Sequence, residues 1–303
     1  MNISGFLITF IGGLYLAVFS IESKRQLNSG WKETPALFTL YSRLIAAGFL
    51  LIIAACTGGM ELSEGWWLPL LVTSFLNIGI QFAHVRAQAL EDVSLVTPIA
   101  ATTPAIVILT SMWWGEFASP LGWLGVWVLS LGTYILNMGE YVEKRRSSGD
   151  TRLRTWLMPF LLLWRSKGMR YAFLCALLAT FSLNFDAQAY RKANVAFASA
   201  IMYTIAALPN AAMASTEWKR RAELTRPRVS SLVLVGLFLC ISACFSHLAF
   251  RYSITPYVAA LKRLAIPCTI VLAYLILHER VNFRGRLLGG TVMAVGAMLI
   301  GIS

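Results

Sequence analysis

The chain has 303 residues, 57% of them hydrophobic and only 13% charged, with a mean hydropathy of +0.66. A soluble domain carries about 25% charged residues, so water is not the principal solvent and a soluble enzyme or binding module is excluded. The net charge of +12 asks for an anionic partner, and the placement of the basic residues decides which one.

Apolar runs of about 20 residues suffice to cross about 30 Å of hydrocarbon as a helix. Five such runs come first: Ile3–Ser23, Thr34–Cys56, Trp66–Gln88, Val93–Trp114 and Leu121–Met138. The first lacks the basic start and small-residue cleavage site of a signal peptide and is read as a retained helix. A basic stretch follows, residues 139–168, containing Lys144-Arg145-Arg146 and the short apolar segment Trp156–Trp164. That segment is too short to span and is expected to lie on the cytosolic leaflet. Five more runs complete the chain: Met169–Tyr190, Val195–Ser215, Val229–Arg251, Pro256–Leu277 and Leu287–Ile302. Their length and uniform apolarity predict helices and not the alternating strands of a barrel. The expected fold is an all-α integral membrane protein with ten transmembrane helices.

A ladder of residues recurs at a constant separation of 163: His84 with His247, Pro104 with Pro267, Glu116 with Glu279 and Gly122 with Gly285. With a slip of one residue it continues through Gly125 and Gly289, then Gly132 and Gly296. The chain is therefore expected to hold two five-helix copies, residues 1–138 and 169–303, joined by the basic linker 139–168. Five is an odd number, so the second copy enters the bilayer inverted, as in many secondary transporters.

Most of the 26 Lys and Arg residues fall on connections after odd-numbered spans. The positive-inside rule puts those connections in the cytosol, with both termini extracytoplasmic, and arginine-rich usage suggests a bacterial inner membrane. Insertion topology and anionic lipid headgroups account for the basic excess, so no nucleic-acid partner is expected. The five cysteines all lie within spans as small hydrophobes, which predicts no disulfide framework, no metal site and no cofactor. No HExxH, GxSxG or phosphate-binding glycine loop supports an enzyme.

The candidate site comes from polar residues at membrane depth. Pro104 and Pro267 fall about 16 Å into their helices, where paired breaks mark hinges and substrate sites. Thr102 and Thr103 are expected to satisfy carbonyls that the break frees. Lys262 and Arg263 lie about 9 to 11 Å inside the ninth span and align with Ile99 and Ala100 of the other copy. A lone charge at that depth costs about 2.5–3.5 kcal/mol, so the pair should face a cavity or a counter-ion. Asp186, at the end of the sixth span, is the candidate counter-ion, by pairing with Arg263. Arg43 adds a third intramembrane cation, either facing the same cavity or snorkelling to the surface. Tyr41 and Tyr203 are similarly placed in the second and seventh spans and are candidate wall residues. His84 and His247 are candidate proton-coupling groups, or else helix-end hydrogen-bonding residues. Glu116 and Glu279 are expected to hold helix ends by accepting hydrogen bonds.

Ten spans in two copies, a proline and a terminal Glu in the fourth and ninth, and a glycine-punctuated last helix form a known pattern. The stretch Ala260-Leu261-Lys262-Arg263-Leu264 through His278-Glu279-Arg280, then Arg286-Leu287-Leu288-Gly289, resembles the EamA family of the drug/metabolite transporter superfamily. The resemblance implies a secondary transporter of small organic metabolites working by alternating access within lipid. In the plastid phosphate-antiporter branch a Lys-Arg pair on the ninth helix binds the cargo's phosphate, and Lys262-Arg263 looks like that pair. Anionic or zwitterionic cargo is the expectation. The alternatives are a proton-coupled amino-acid or drug exporter, a lipid-phosphate flippase, and a receptor that binds without transport. The sequence sets no oligomeric state, and a monomer is compatible with it.

Overall fold

A computed structural model describes residues 3–29, 31, 34–58, 62–146, 152–217, 229–276 and 283–303. Glu279 and Arg280 lie outside the described residues, as do parts of the basic linker and most of the connection 217–228. The fold is all-helical. Nine helices among the described residues are long and apolar enough to cross a membrane. The last, Phe283–Gly301, contributes a shorter apolar stretch over Leu288–Gly301.

In chain order the helices are α1 (Ile3–Ser29), α2 (Pro35–Cys56), α3 (Trp67–Leu90), α4 (Val93–Ala100), α5 (Thr103–Thr110) and α6 (Pro120–Arg146). Then come α7 (Arg152–Leu161), α8 (Lys167–Lys192), α9 (Val195–Glu217), α10 (Val229–Tyr252), α11 (Thr255–Leu261), α12 (Ala265–Ile276) and α13 (Phe283–Gly301). The fourth and ninth spans are broken, as their prolines predict. α4 and α5 meet at a turn just before Pro104, and a short 3-10 segment, Lys262–Leu264, separates α11 from α12. Several helices outrun the apolar stretch that marks them: α1 continues to Ser29 and α6 to Arg146, beyond the expected start of the linker.

The bundle buries polar groups within an apolar core and turns large apolar side chains outward. Thr73, Thr180, Ser182, Asn184, Asp186 and Ser199 are buried, while Phe75, Trp113, Leu131 and Met298 point outward at 65%, 74%, 55% and 66% exposure. That inversion suits a lipid surround, where outward apolar groups cost nothing and inward polar groups must partner one another.

The most extensive helix pairs are α6 with α13, α3 with α8, α2 with α9 and α1 with α10. Each joins one half of the chain to the other, so the halves form a common bundle. Exchanging the halves maps this set of pairs onto itself. α2 and α9 show how the ends are tied. The Glu217 carboxylate at the end of α9 accepts from the Ala36 and Leu37 amides at the start of α2 (3.3 and 3.0 Å). At the other end Asn194 accepts from the Ala196 and Phe197 amides while its Nδ2 donates to Thr57 Oγ1 just past α2 (3.3 Å). Both N-termini thus have acceptors for amides that the helices leave free.

The ladder glycines explain the α6–α13 pair. A Cβ on Gly132 would lie 2.6 Å from the Met293 backbone nitrogen and 3.0 Å from the Gly289 carbonyl oxygen, and one on Gly296 would lie 2.5 Å from Leu129 N and 2.8 Å from the Gly125 oxygen. The helices touch backbone to backbone, which only small residues permit. Gly132→Leu should force them apart and abolish the monodisperse peak of detergent-extracted protein on size-exclusion chromatography. Gly48→Leu, where a Cβ meets nothing within 4 Å, should preserve it.

Candidate functional site

The centre of the second half is an aromatic and charged cluster built from four helical segments. α8 supplies Asp186 and Tyr190, which are one turn apart on the same face. α10 supplies His247 and Phe250, α9 supplies Tyr203, and the 3-10 break of the ninth span supplies Lys262. The His247 ring stacks on Tyr190 at 4.2 Å between centroids and 11° between planes, and Tyr203 leans on it at 6.4 Å. His247 Nδ1 is bonded to Ser199 Oγ at 2.7 Å. The Lys262 ammonium sits over the Phe250 ring, 5.0 Å from its centroid, a geometry in which the ring's negative face attracts the cation.

Lys262 has no ion-pair partner among the described residues. The Asp186 carboxylate is buried and within electrostatic range, but it is held by α3. Thr73 Oγ1 donates to Asp186 Oδ1 at 2.6 Å and also meets Ser182 Oγ at 2.8 Å, while Asn77 Nδ2 donates to Ser182 Oγ at 3.0 Å. Lys262 remains partly exposed even though Phe250, Leu261 and Val258 around it are buried.

The two arginines are committed differently. Arg263 Nη2 donates to the Ala100 carbonyl oxygen at 3.0 Å, so the expected Asp186–Arg263 pair is not formed. Arg43 does not snorkel. Its Nη1 donates to the Ala206 carbonyl oxygen and to Gln81 Oε1, the latter at 3.2 Å, and Gln81 Nε2 continues to Asn210 Oδ1 at 3.1 Å. Tyr203 lies within electrostatic range of both Arg43 and Asp186.

Tyr41 falls elsewhere, on the face occupied by Trp31 (6.3 Å between rings) and the apolar cluster around it. Two residues along a helix turn it by about 200°, away from Arg43. His84 lies on the exposed side of α3, unlike its ladder partner His247, which is buried in the cluster. At the fourth-span break Thr102 Oγ1 donates to the Ile99 oxygen at 2.7 Å, whereas Thr103 Oγ1 is buried without a partner.

One end of the bundle is closed by a second charged group. Glu116, 7% exposed, pairs with Arg191 Nη1 and accepts from the Thr255 amide at 2.7 Å. Arg191 also donates to the Phe250 and Ser253 carbonyl oxygens at 2.8 and 3.1 Å, and Arg251 donates to those of Tyr190 and Ala193 at 2.9 and 2.7 Å. Each arginine caps the C-terminus of the other's helix, which satisfies free carbonyls and suits the negative end of the dipole. Glu116 holds a helix end in the way its position predicts. A cavity of about 300 Å³ beside this latch is lined by Phe117, Ser119, Tyr252, Ser253, Ile254 and Tyr257. It is not contiguous with the residues around Lys262.

Tyr190, Phe250, Thr73, Asn77 and Ser182 are not legible in the sequence as site residues. The one signal for them is helical spacing, since Tyr190 sits four residues after Asp186 and Phe250 three after His247.

This geometry can be set beside known proteins. The profile of the EamA-like transporter family matches residues 3–138. The first half of the chain is thus similar to that family. EamA-like proteins are membrane transporters of the drug/metabolite type, and the apolar bundle agrees with an integral membrane protein. The whole chain also superposes on a protein of known crystal structure with a TM-score of 0.72 at 15% identity, covering 99% of this chain and 96% of that one. At that identity the likeness shows the fold alone. No curated protein matches the sequence at a significant level.

Proposed function

We propose that this EamA-like protein is a secondary carrier of small organic metabolites bearing a phosphate or carboxylate group, and that Lys262 receives that group. The observation that carries the reading is a membrane-depth ammonium seated on Phe250, on a residue that is not fully buried and has no ion-pair partner among the described residues. Arg43 and Arg263 add positive field nearby, while Tyr190, Tyr203 and His247 offer an aromatic wall with polar edges. A carrier of this kind works by alternating access of two inverted five-helix halves about Pro104 and Pro267. The exchange symmetry of the helix pairs supports that architecture.

A ligand stabilises the state it binds, so thermal-shift titration of purified protein against inorganic phosphate, sugar phosphates, dicarboxylates and amino acids tests the reading. Stabilisation by phosphorylated or carboxylate compounds is expected. Stabilisation by neutral or cationic compounds alone would overturn it.

Proton-coupled export is the second reading, favoured by a buried Asp186 that is hydrogen-bonded to Thr73 but not ion-paired. Proteoliposome uptake with and without an imposed pH gradient separates the two, since an exchanger needs only counter-substrate inside.

A further inference from the structure

The contact between Arg263 and the Ala100 carbonyl has a specific chemical origin. In a continuous helix the Ala100 oxygen would accept from the amide four residues on. That residue is Pro104, which has no N–H. At the break, Ala101 and Thr102 donate to the Pro98 and Ile99 oxygens at 3.1 Å each, and Thr102 Oγ1 adds a second bond to Ile99. These groups leave the Ala100 oxygen free, and Arg263 Nη2 takes it at 3.0 Å.

The sequence separation between donor and acceptor is 163, the interval of the ladder itself. Arg263 therefore bonds the residue that occupies its own place in the other copy. The second intramembrane arginine does the same, because Arg43 and Ala206 are also separated by 163. Residues that touch their own counterparts lie where the two halves meet about their common axis.

We infer that Arg263 is a positioning residue: it supplies, from the ninth span, the hydrogen bond that Pro104 removes from the fourth, and so ties the two broken helices together at the junction of the halves. An exposed backbone carbonyl at membrane depth costs several kcal/mol when unsatisfied, and a guanidinium can reach it from another helix while keeping its remaining donors for water or neighbours. The pair Lys262-Arg263 thus divides its work, with one cation seated on Phe250 and the other holding the break before Pro104. This inference does not depend on what the carrier moves.

The test is hydrogen–deuterium exchange of the full-length protein in nanodiscs, without added substrate. Arg263→Gln should speed amide exchange over residues 101–107 by about tenfold, the scale of one hydrogen bond from a charged donor, while Lys262→Gln leaves that segment unchanged. Pro104→Ala restores an N–H for the Ala100 oxygen, so Pro104→Ala/Arg263→Gln should return to the exchange of Pro104→Ala alone. Should Arg263→Gln fail to yield folded protein, recovery of folding by the added Pro104→Ala makes the same point. Wild-type exchange in Arg263→Gln, or an equal defect in the presence and absence of Pro104, overturns the assignment. General loss of stability would accelerate exchange throughout the bundle and would not be cured at position 104. A negative outcome here leaves the cargo reading intact, since that rests on Lys262.

Discussion

Lys262→Gln removes the stabilisation that phosphate-bearing or carboxylate compounds confer and weakens their binding about ten- to a hundredfold. That is the range expected when a charged hydrogen bond worth about 1.5–3 kcal/mol is lost. The substitution should be tolerated by the fold, because Lys262 has no direct ion-pair partner among the described residues and the nearby Asp186 keeps its hydrogen bond from Thr73. Neutralising an intramembrane cation also lowers a burial cost of about 2.5–3.5 kcal/mol, so the free protein should melt no lower than the wild type. Thermal-shift titrations with inorganic phosphate and a sugar phosphate, followed by uptake in proteoliposomes, read both effects together. Unchanged affinity and flux in Lys262→Gln would remove this residue from the binding site. Phe250→Leu offers a graded companion, since it keeps an apolar floor under the ammonium but removes the ring face that attracts it.

Arg191→Met is expected to be the most damaging single substitution at the closed end of the bundle, costing on the order of 3 kcal/mol of stability. Glu116 is 7% exposed, and without Arg191 its charge keeps one identified partner, the Thr255 amide. A buried carboxylate without its cation is the expensive case, whereas removing both members is often close to neutral. Arg191→Met/Glu116→Leu should therefore recover most of the loss. The pair also sits where α8, the end of α5 and the start of α11 converge, so loosening it should favour opening of that end. Thermal unfolding of the two single variants and the double variant gives the coupling. A double variant no more stable than Arg191→Met would show that the latch does not act as a pair.

Much of the architecture is legible in the order of residues alone. Apolar run length locates the spans, because a bilayer admits few other backbone solutions. Pro104 and Pro267 announce the breaks in the fourth and ninth spans, since a missing N–H interrupts a helix wherever it falls. The extents of α1 and α6 are less accessible. Their last turns are polar and helical, so hydropathy ends before the hydrogen-bond ladder does.

The site is only partly legible, for a related reason. Asp186, Lys262, Arg263, Arg43 and Tyr203 stand out as polar groups at membrane depth, yet their partners come from other helices and leave no local trace. Opposite charge suggests a pair of Asp186 with Arg263, but Thr73 on α3 is the hydrogen-bond donor to Asp186, and Arg263 is drawn to a backbone carbonyl. Nearness in sequence groups Tyr41 with Arg43, although a two-residue step turns the side chain to the opposite side of a helix. The clue to the arginine contacts lies in the ladder, since the interval that relates His84 to His247 also relates Ala100 to Arg263 and Arg43 to Ala206.

The crossing of α6 and α13 has one more consequence. Where Gly125 faces Gly296 and Gly132 faces Gly289, main chain comes against main chain, with Ile300, Met293 and Leu136 filling in beside the contact. Rotamer changes, the usual means by which packed helices slide or tilt, have little room to act there. Contact this close resists shear, so α6 and α13 are expected to travel as one unit in any rearrangement of the bundle, a keel for the helices around them.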